Sequence, residues 1–168
     1  MAKQETARVA ALAAEKARKD AEAKAERERL AEVERLRLQE LERLAKLEEE
    51  KIEKALSLAQ ESIAFNSGSA TLTEGSYAAL DAVAQLMKEN RDISLKLSGY
   101  TDSSGNAATN LKLSKQRAAA VKSYIVSQGI VEGRLEAEGF GIANPRADNS
   151  TAEGRALNRR VEMEIVRN

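Results

Sequence analysis

Histidine and cysteine are both absent from the 168-residue chain. The first absence removes the commonest general base and the side chain that titrates nearest neutral pH. The second excludes disulfides, thiol nucleophiles and thiolate-ligated metals. Aromatic residues make up only 3% of the chain, which argues against stacking platforms for single-stranded nucleic acid. Acidic and basic side chains number 27 each, so no net charge draws the chain toward DNA or an anionic membrane. No apolar run approaches the roughly 18 residues that span a bilayer. The opening stretch, MAKQETARVAALAAEKARKD, is too charged for a signal-peptide core. Composition alone leaves open a cytoplasmic chain or one whose targeting segment has been removed.

What is present divides into two textures. Residues 1–58 lack Gly, Pro and aromatics and are built from Ala, Glu, Lys, Arg, Leu and Gln, the strong helix formers. Acid-before-base pairs four apart (Glu15–Lys19, Asp20–Lys24, Glu42–Lys46, Glu50–Lys54) add a few tenths of a kcal/mol each. Fully helical, the segment would reach about 85 Å at 1.5 Å per residue. Its large apolar residues fall in rows eleven apart: Leu30, Leu41, Ile52; Val33, Leu44, Ala55; Leu36, Leu47, Leu58. Eleven residues in three turns keep such a stripe nearly straight or slightly right-handed. A strict heptad fits worse, since it places Arg37 and Lys51 in the seam with Leu30 and Leu44. Upstream of residue 30 a solvated single helix is expected. Over 30–58 the arc is wide enough to predict a coiled coil, hence a homo-oligomer or docking.

Beyond residue 60 the periods shift between two and 3.6. SIAF (62–65) alternates like a short strand, and NSGSATLT reads as a turn. EGSYAALDAVAQLMKEN sets Tyr77, Leu80, Val83, Ala84 and Met87 on one helical face. ISLKLSG (93–99) alternates with Ile93, Leu95 and Leu97 inward; a helix from about 107 to 128 follows, ended by Gly129. RLEAEGFG (134–141) and RRVEMEIV (159–166) read as strands separated by a loop. The expected fold class is α+β: a two-layer α/β sandwich in the order βαβα-ββ, with a mixed four-stranded sheet, preceded by the long helix. The expected domains are 1–58 and 60–168.

One stretch concentrates the chemistry. GYTDSSGNAATNLKLSKQR (99–117) runs from a strand end through Thr101 and Asp102 into a helix on which Asn110, Ser114 and Arg117 share a face. A helix folding back over its strand brings Arg117 toward Asp102. An acid beside a planar cation suits a zwitterionic ligand, with ammonium on Asp and carboxylate on Arg. A plain structural ion pair, with Asp102 closing an Asx turn onto Ser104, explains the same spacing equally well.

The ordered companions of this stretch carry a resemblance. Gly-x-Thr-Asp (99–102), Asn110, Leu-Ser before Arg-Ala (113–118), Gly-x-Gly (139–141) and Gly-Arg-Ala-x-Asn-Arg-Arg-Val (154–161) together resemble the OmpA-like C-terminal domain. That domain is shared by outer-membrane proteins, peptidoglycan-associated lipoprotein and the stator protein MotB. The match covers about residues 60–167, with Tyr100 standing where many relatives have His. The resemblance implies non-covalent, non-enzymatic binding of peptidoglycan through the diaminopimelate of its stem peptide. It further implies that Asp102 takes the ligand's ammonium and Arg117 its carboxylate. Thr101, Asn110, Leu113 and Arg159 would line the same pocket, with Asn66 and Gly68 on an adjoining loop, and Arg160 would be structural. No cofactor, metal or nucleic acid is implied. The implied location is the periplasm, associated with the outer membrane through an anchor lying upstream of these residues, the helix serving as a stalk.

Two other readings stand beside this one. An oligomeric envelope scaffold would rest on the helix, with the globular half a passive cap. A wall hydrolase would need paired carboxylates among Asp81, Asp92, Asp102, Glu132 and Glu138, and no spacing singles out a pair.

Overall fold

The computed structural model describes residues 2–66 and 68–167. The chain forms two compact units, Met1–Glu49 and Glu50–Asn168. Helix α1 runs through Ala2–Ser62 without a break. From residue 4 to residue 49 its side chains lie in solvent, with short-range pairs such as Glu15–Lys19 at 2.8 Å and Glu40–Arg43 at 2.7 Å. Exposed pairs of this kind add little individually. Leu30, Val33, Leu36, Leu41, Leu44 and Leu47 are all between 42% and 58% exposed.

The expected junction at 58–60 falls inside α1, and the units meet ten residues earlier for a reason visible in the packing. Ile52, Leu56, Ala59 and Ile63, spaced i, i+4, i+7, i+11, are buried in the core of the second unit. The eleven-residue rows therefore end near residue 50. Ile52 leaves its row for the core, whereas Ala55 and Leu58 stay exposed.

The second unit is a mixed sheet covered by helices. Strands β1 (Ile93–Tyr100), β2 (Leu135–Gly141) and β3 (Val161–Arg167) lie in the order β2-β1-β3. β1 is parallel to β2 and antiparallel to β3. Helices α2 (Glu74–Glu89) and α3 (Ala107–Ser127) supply most of the second layer. The sheet has three strands rather than the expected four. Phe65 makes only an isolated bridge to Leu72, because the backbone of 62–66 is committed locally. Ala64 N–H donates to Ser76 Oγ at 2.9 Å, its carbonyl accepts from Thr73 N–H at 3.0 Å, and Asn66 N–H reaches Thr71 O at 2.9 Å. On β3, the Met163 carbonyl accepts from the Gln60 side chain.

Two further expectations are corrected. On α2 the buried face holds Ser76 with Leu80, Val83, Ala84 and Met87; Tyr77 instead packs its ring 5.0 Å from that of Tyr124. The loop after β2 contains a short helix, α4 (Ala152–Asn158), capped by Thr151 Oγ accepting from Gly154 N–H. Asn106 caps α3 in the same way, accepting from Ala108 and Thr109, and Gly129 ends that region at φ +94°. Among the described residues no helix is long and apolar enough to cross a membrane.

The seating of α3 on the sheet depends on two glycines. A Cβ at Gly99 would lie 2.2 Å from the Ser114 carbonyl oxygen, and one at Gly139 would lie 2.3 Å from the Lys115 nitrogen. Neighbours across β1 and β2, these two residues let the helix backbone descend onto the strands. The descent puts Asn110, Ser114 and Arg117 against the sheet, where all three are buried. Alanine at either position should destabilise the domain by about 3 kcal/mol through overpacking of backbone on backbone. Chemical denaturation of Gly99→Ala and Gly139→Ala checks this, and midpoints equal to wild type would refute it.

Candidate ligand-binding site

The C-terminal end of β1 is held from both sides before the functional residues begin. Tyr100 N–H donates to Arg160 O at 2.8 Å, and Thr101 N–H to Gly141 O at 2.7 Å. The chain then turns at Asp102, whose Oδ1 accepts from Ser104 N–H at 2.8 Å, the Asx turn expected from the sequence. Asn110, one turn into α3, reaches back and donates to Ser104 O at 2.9 Å and Asp102 O at 3.4 Å. Ser114 Oγ accepts from Gly141 N–H at 2.9 Å and donates to Leu111 O. The helix is thereby fastened to the ends of both β1 and β2.

Two turns after Asn110, Arg117 is 1% exposed. Its Nε donates to the Ser69 carbonyl at 3.0 Å, and its guanidinium lies 5.1 Å from the centre of the Phe65 ring. Asp102 and Arg117 open into the same cavity of about 590 Å³, together with Phe65, Gly68, Thr101, Ser104, Asn110, Leu113, Arg155 and Arg159. They are not each other's partner. Asp102 Oδ2 accepts from Arg159 Nη1 at 2.8 Å, and that guanidinium arrives from the chain just after α4 with its side chain 43% exposed. Ser69 and Phe65 hold Arg117 instead, leaving the acid to the more exposed arginine.

The other expected residues divide cleanly. Thr101, Asn110, Leu113, Arg159 and Gly68 line the cavity; Gly68 adopts φ +63°, a conformation that favours glycine. Asn66 is exposed and is not among the lining residues. Arg160 is structural: it bonds Glu162 at 2.7 Å and stacks 4.1 Å from the Tyr100 ring centre. Sequence reasoning missed Phe65, Ser104 and Arg155. The signal for Arg155 was its place four residues before Arg159 within the Gly-Arg-Ala-x-Asn-Arg-Arg run.

The electrostatics follow from these contacts. Burial by itself would raise the Asp102 carboxyl, but hydrogen bonds from Arg159 and Ser104 outweigh it and hold the group below its ordinary value. Burial, then the nearby Arg159 charge, pull the Arg117 guanidinium below its usual value, with Asp102 acting in the opposite sense. Among the described residues, Thr101 Oγ1 and Arg117 Nη1 are buried side-chain atoms without a hydrogen-bond partner. Such atoms are uncommon in folded proteins, and both belong to residues lining the cavity. The described residues contain no group of three or more acidic side chains placed to hold a metal ion.

The family is now defined by both sequence and fold. Residues 64–159 match the OmpA family, and the chain belongs to it. It is 49% identical over 102 residues to outer membrane protein A of Bordetella avium, covering 61% of this chain and 53% of that protein. It is 41% identical over 103 residues to the peptidoglycan-binding protein ArfA of Mycobacterium bovis, covering 61% of this chain and 32% of ArfA. The peptidoglycan-associated lipoprotein of Burkholderia pseudomallei superposes with a TM-score of 0.59 at 27% identity, covering 62% of this chain and 88% of that one. The chain thus spans about half or less of the length of these curated relatives. One of these relatives is named as an outer membrane protein and the other as a peptidoglycan-binding protein.

The Asp102 contacts predict an acid limb in stability. Because its folded pKa is depressed, Asp102 contributes stability that is present above its unfolded value of about 3.9 and lost as pH falls through the folded value. As pH falls below about 4 the urea midpoint of wild type should fall more steeply than that of Asp102→Asn. Parallel pH profiles would show that Asp102 is not the group responsible.

Proposed function

We propose that the second unit binds peptidoglycan non-covalently, holding the diaminopimelate of a stem peptide and tethering an envelope complex to the cell wall. The observation that carries this reading is the sealed, under-bonded Arg117 opening onto the same cavity as Asp102. A ligand carboxylate supplies the acceptor that Arg117 Nη1 lacks. A ligand ammonium joins Asp102, whose carboxylate has about four lone-pair sites and receives two hydrogen bonds from the protein. Arg159 therefore need not leave when ligand arrives. Thr101 Oγ1, also unpaired, stands ready to bond a ligand, and Leu113 gives the cavity an apolar wall for the methylene chain between the two ends of diaminopimelate. ArfA is named a peptidoglycan-binding protein, which supports the same ligand for this domain. The reading places the domain on the periplasmic, wall-facing side of the envelope.

Asp102→Ala and Arg117→Ala should each weaken binding to purified sacculi by 30-fold or more, since removing one side of an enclosed charge pair costs about 2–5 kcal/mol. Pull-down with the amide spectrum recorded in parallel checks that each variant remains folded. Folded variants that still pellet like wild type would defeat the assignment.

A second reading concerns the first unit. The half-exposed aliphatic stripe from Leu30 to Leu47 keeps an eleven-residue spacing, which a second copy of the same helix can match along its length. Self-association through this stripe would place two wall sites on one assembly and raise avidity without new ligand contacts. Sedimentation of the full chain should give a dimer or larger oligomer that Leu41→Glu with Leu44→Glu converts to monomer. A wild-type chain that is monomeric at high micromolar concentration would remove this reading.

A further inference from the structure

The cavity is more cationic than a zwitterionic ligand requires. Its lining brings together the guanidinium groups of Arg117, Arg155 and Arg159 and one carboxylate, Asp102. A ligand end bearing one ammonium and one carboxylate is neutral and leaves two positive charges without counter-charge. Arg155 and Arg159 are four residues apart, Arg155 within α4 and Arg159 at its C-terminal cap. The two have different duties. Arg159 is paired with Asp102. Arg155 has no acidic partner among the described residues; its Nη1 donates to the carbonyls of Asn149 at 2.9 Å and Ser150 at 3.1 Å. These contacts fix the guanidinium against the loop before α4, and Nε and Nη2 have no acceptor among the described residues. A planar donor pre-set in this way is suited to receive a carboxylate along its free edge.

Building on the diaminopimelate reading above, we propose that Arg155, supported by the charge of Arg159, forms a second carboxylate subsite. The bound segment then carries a carboxylate beyond the amino-acid end held by Asp102 and Arg117. In a stem peptide that ends at diaminopimelate two groups have this chemistry: the α-carboxylate of the D-glutamate that precedes diaminopimelate, and the terminal carboxylate of diaminopimelate at which a longer chain would carry an amide. Arg155 selects for wall material in which the relevant group is free rather than amidated. The residue is accordingly a specificity determinant, placed at the mouth of the cavity, while Arg117 is its sealed floor.

The test is a binding cycle on the full chain with three synthetic peptides: L-Ala-γ-D-Glu-diaminopimelate, the same peptide amidated at D-glutamate, and the same peptide amidated at the C-terminal carboxylate. Wild type should bind the free peptide roughly tenfold more tightly than one of the two amides, the weaker one identifying which carboxylate sits on Arg155. Arg155→Gln should weaken the free peptide by a similar factor and bind that amide no worse than wild type does. The discrimination is altered on the ligand and not on the protein, so a purely structural role of Arg155 would leave it intact. Equal affinity of wild type for all three peptides, or undiminished discrimination by Arg155→Gln, overturns the subsite while leaving the diaminopimelate reading in place. Absence of binding by wild type to any of them overturns both.

Discussion

Everything at the site depends on how closely α3 approaches the sheet. Helices usually sit on strands through side chains, but here Gly99 and Gly139 admit the backbone of Ser114 and Lys115 directly. The gain is geometric rather than energetic. A helix held at side-chain distance would leave Asn110 short of the Asp102–Ser104 turn and Ser114 short of Gly141. It would also leave Arg117 in solvent instead of sealed against Phe65 and the Ser69 carbonyl. A buried guanidinium is costly unless its donors are met. The packing that creates the cavity therefore also creates the demand for an anion inside it.

The site is assembled from three separated parts of the chain, and each contributes a different quality. The 64–69 loop supplies a carbonyl and an aromatic face, which hold Arg117 without neutralising it. The β1 end and α3 supply Asp102 with a turn that presents its carboxylate. The chain around α4 supplies the two partly exposed arginines that border the opening. Exposure separates the two ends of this arrangement, the buried Arg117 and the half-exposed Arg159.

How much of this was legible in the sequence can be judged residue by residue. The line Asn110, Ser114, Arg117 was readable because a 3.6-residue period fixes which side chains share a helix face. The Asx turn at Asp102 was readable because it is local. The partner of Asp102 was not: Arg159 lies 57 residues away, and spacing says nothing about which of two arginines wins a carboxylate. The fourth strand failed for a related reason. SIAF has a strand's alternation, but its backbone groups are captured by Ser76, Thr73 and Thr71, a competition invisible to a pattern of apolar residues. The expected junction at 58–60 followed the eleven-residue rows, and the same stretch carries a second apolar face, Ile52 to Ile63, buried in the second unit, which those rows do not reveal.

The bond between Asp102 and Arg159 has a consequence for the life of the protein in its surroundings. It joins the turn after β1 to the segment between α4 and β3, so the wall of the cavity is complete only once the chain just before β3 has docked. A ligand that needs this cavity binds the finished fold and has no purchase on a partly unzipped one. Mass action then makes every occupied site a restraint against unfolding. Any such ligand would act as a standing chaperone for the domain, and Arg159, 57 residues from the acid it completes, serves as the latch.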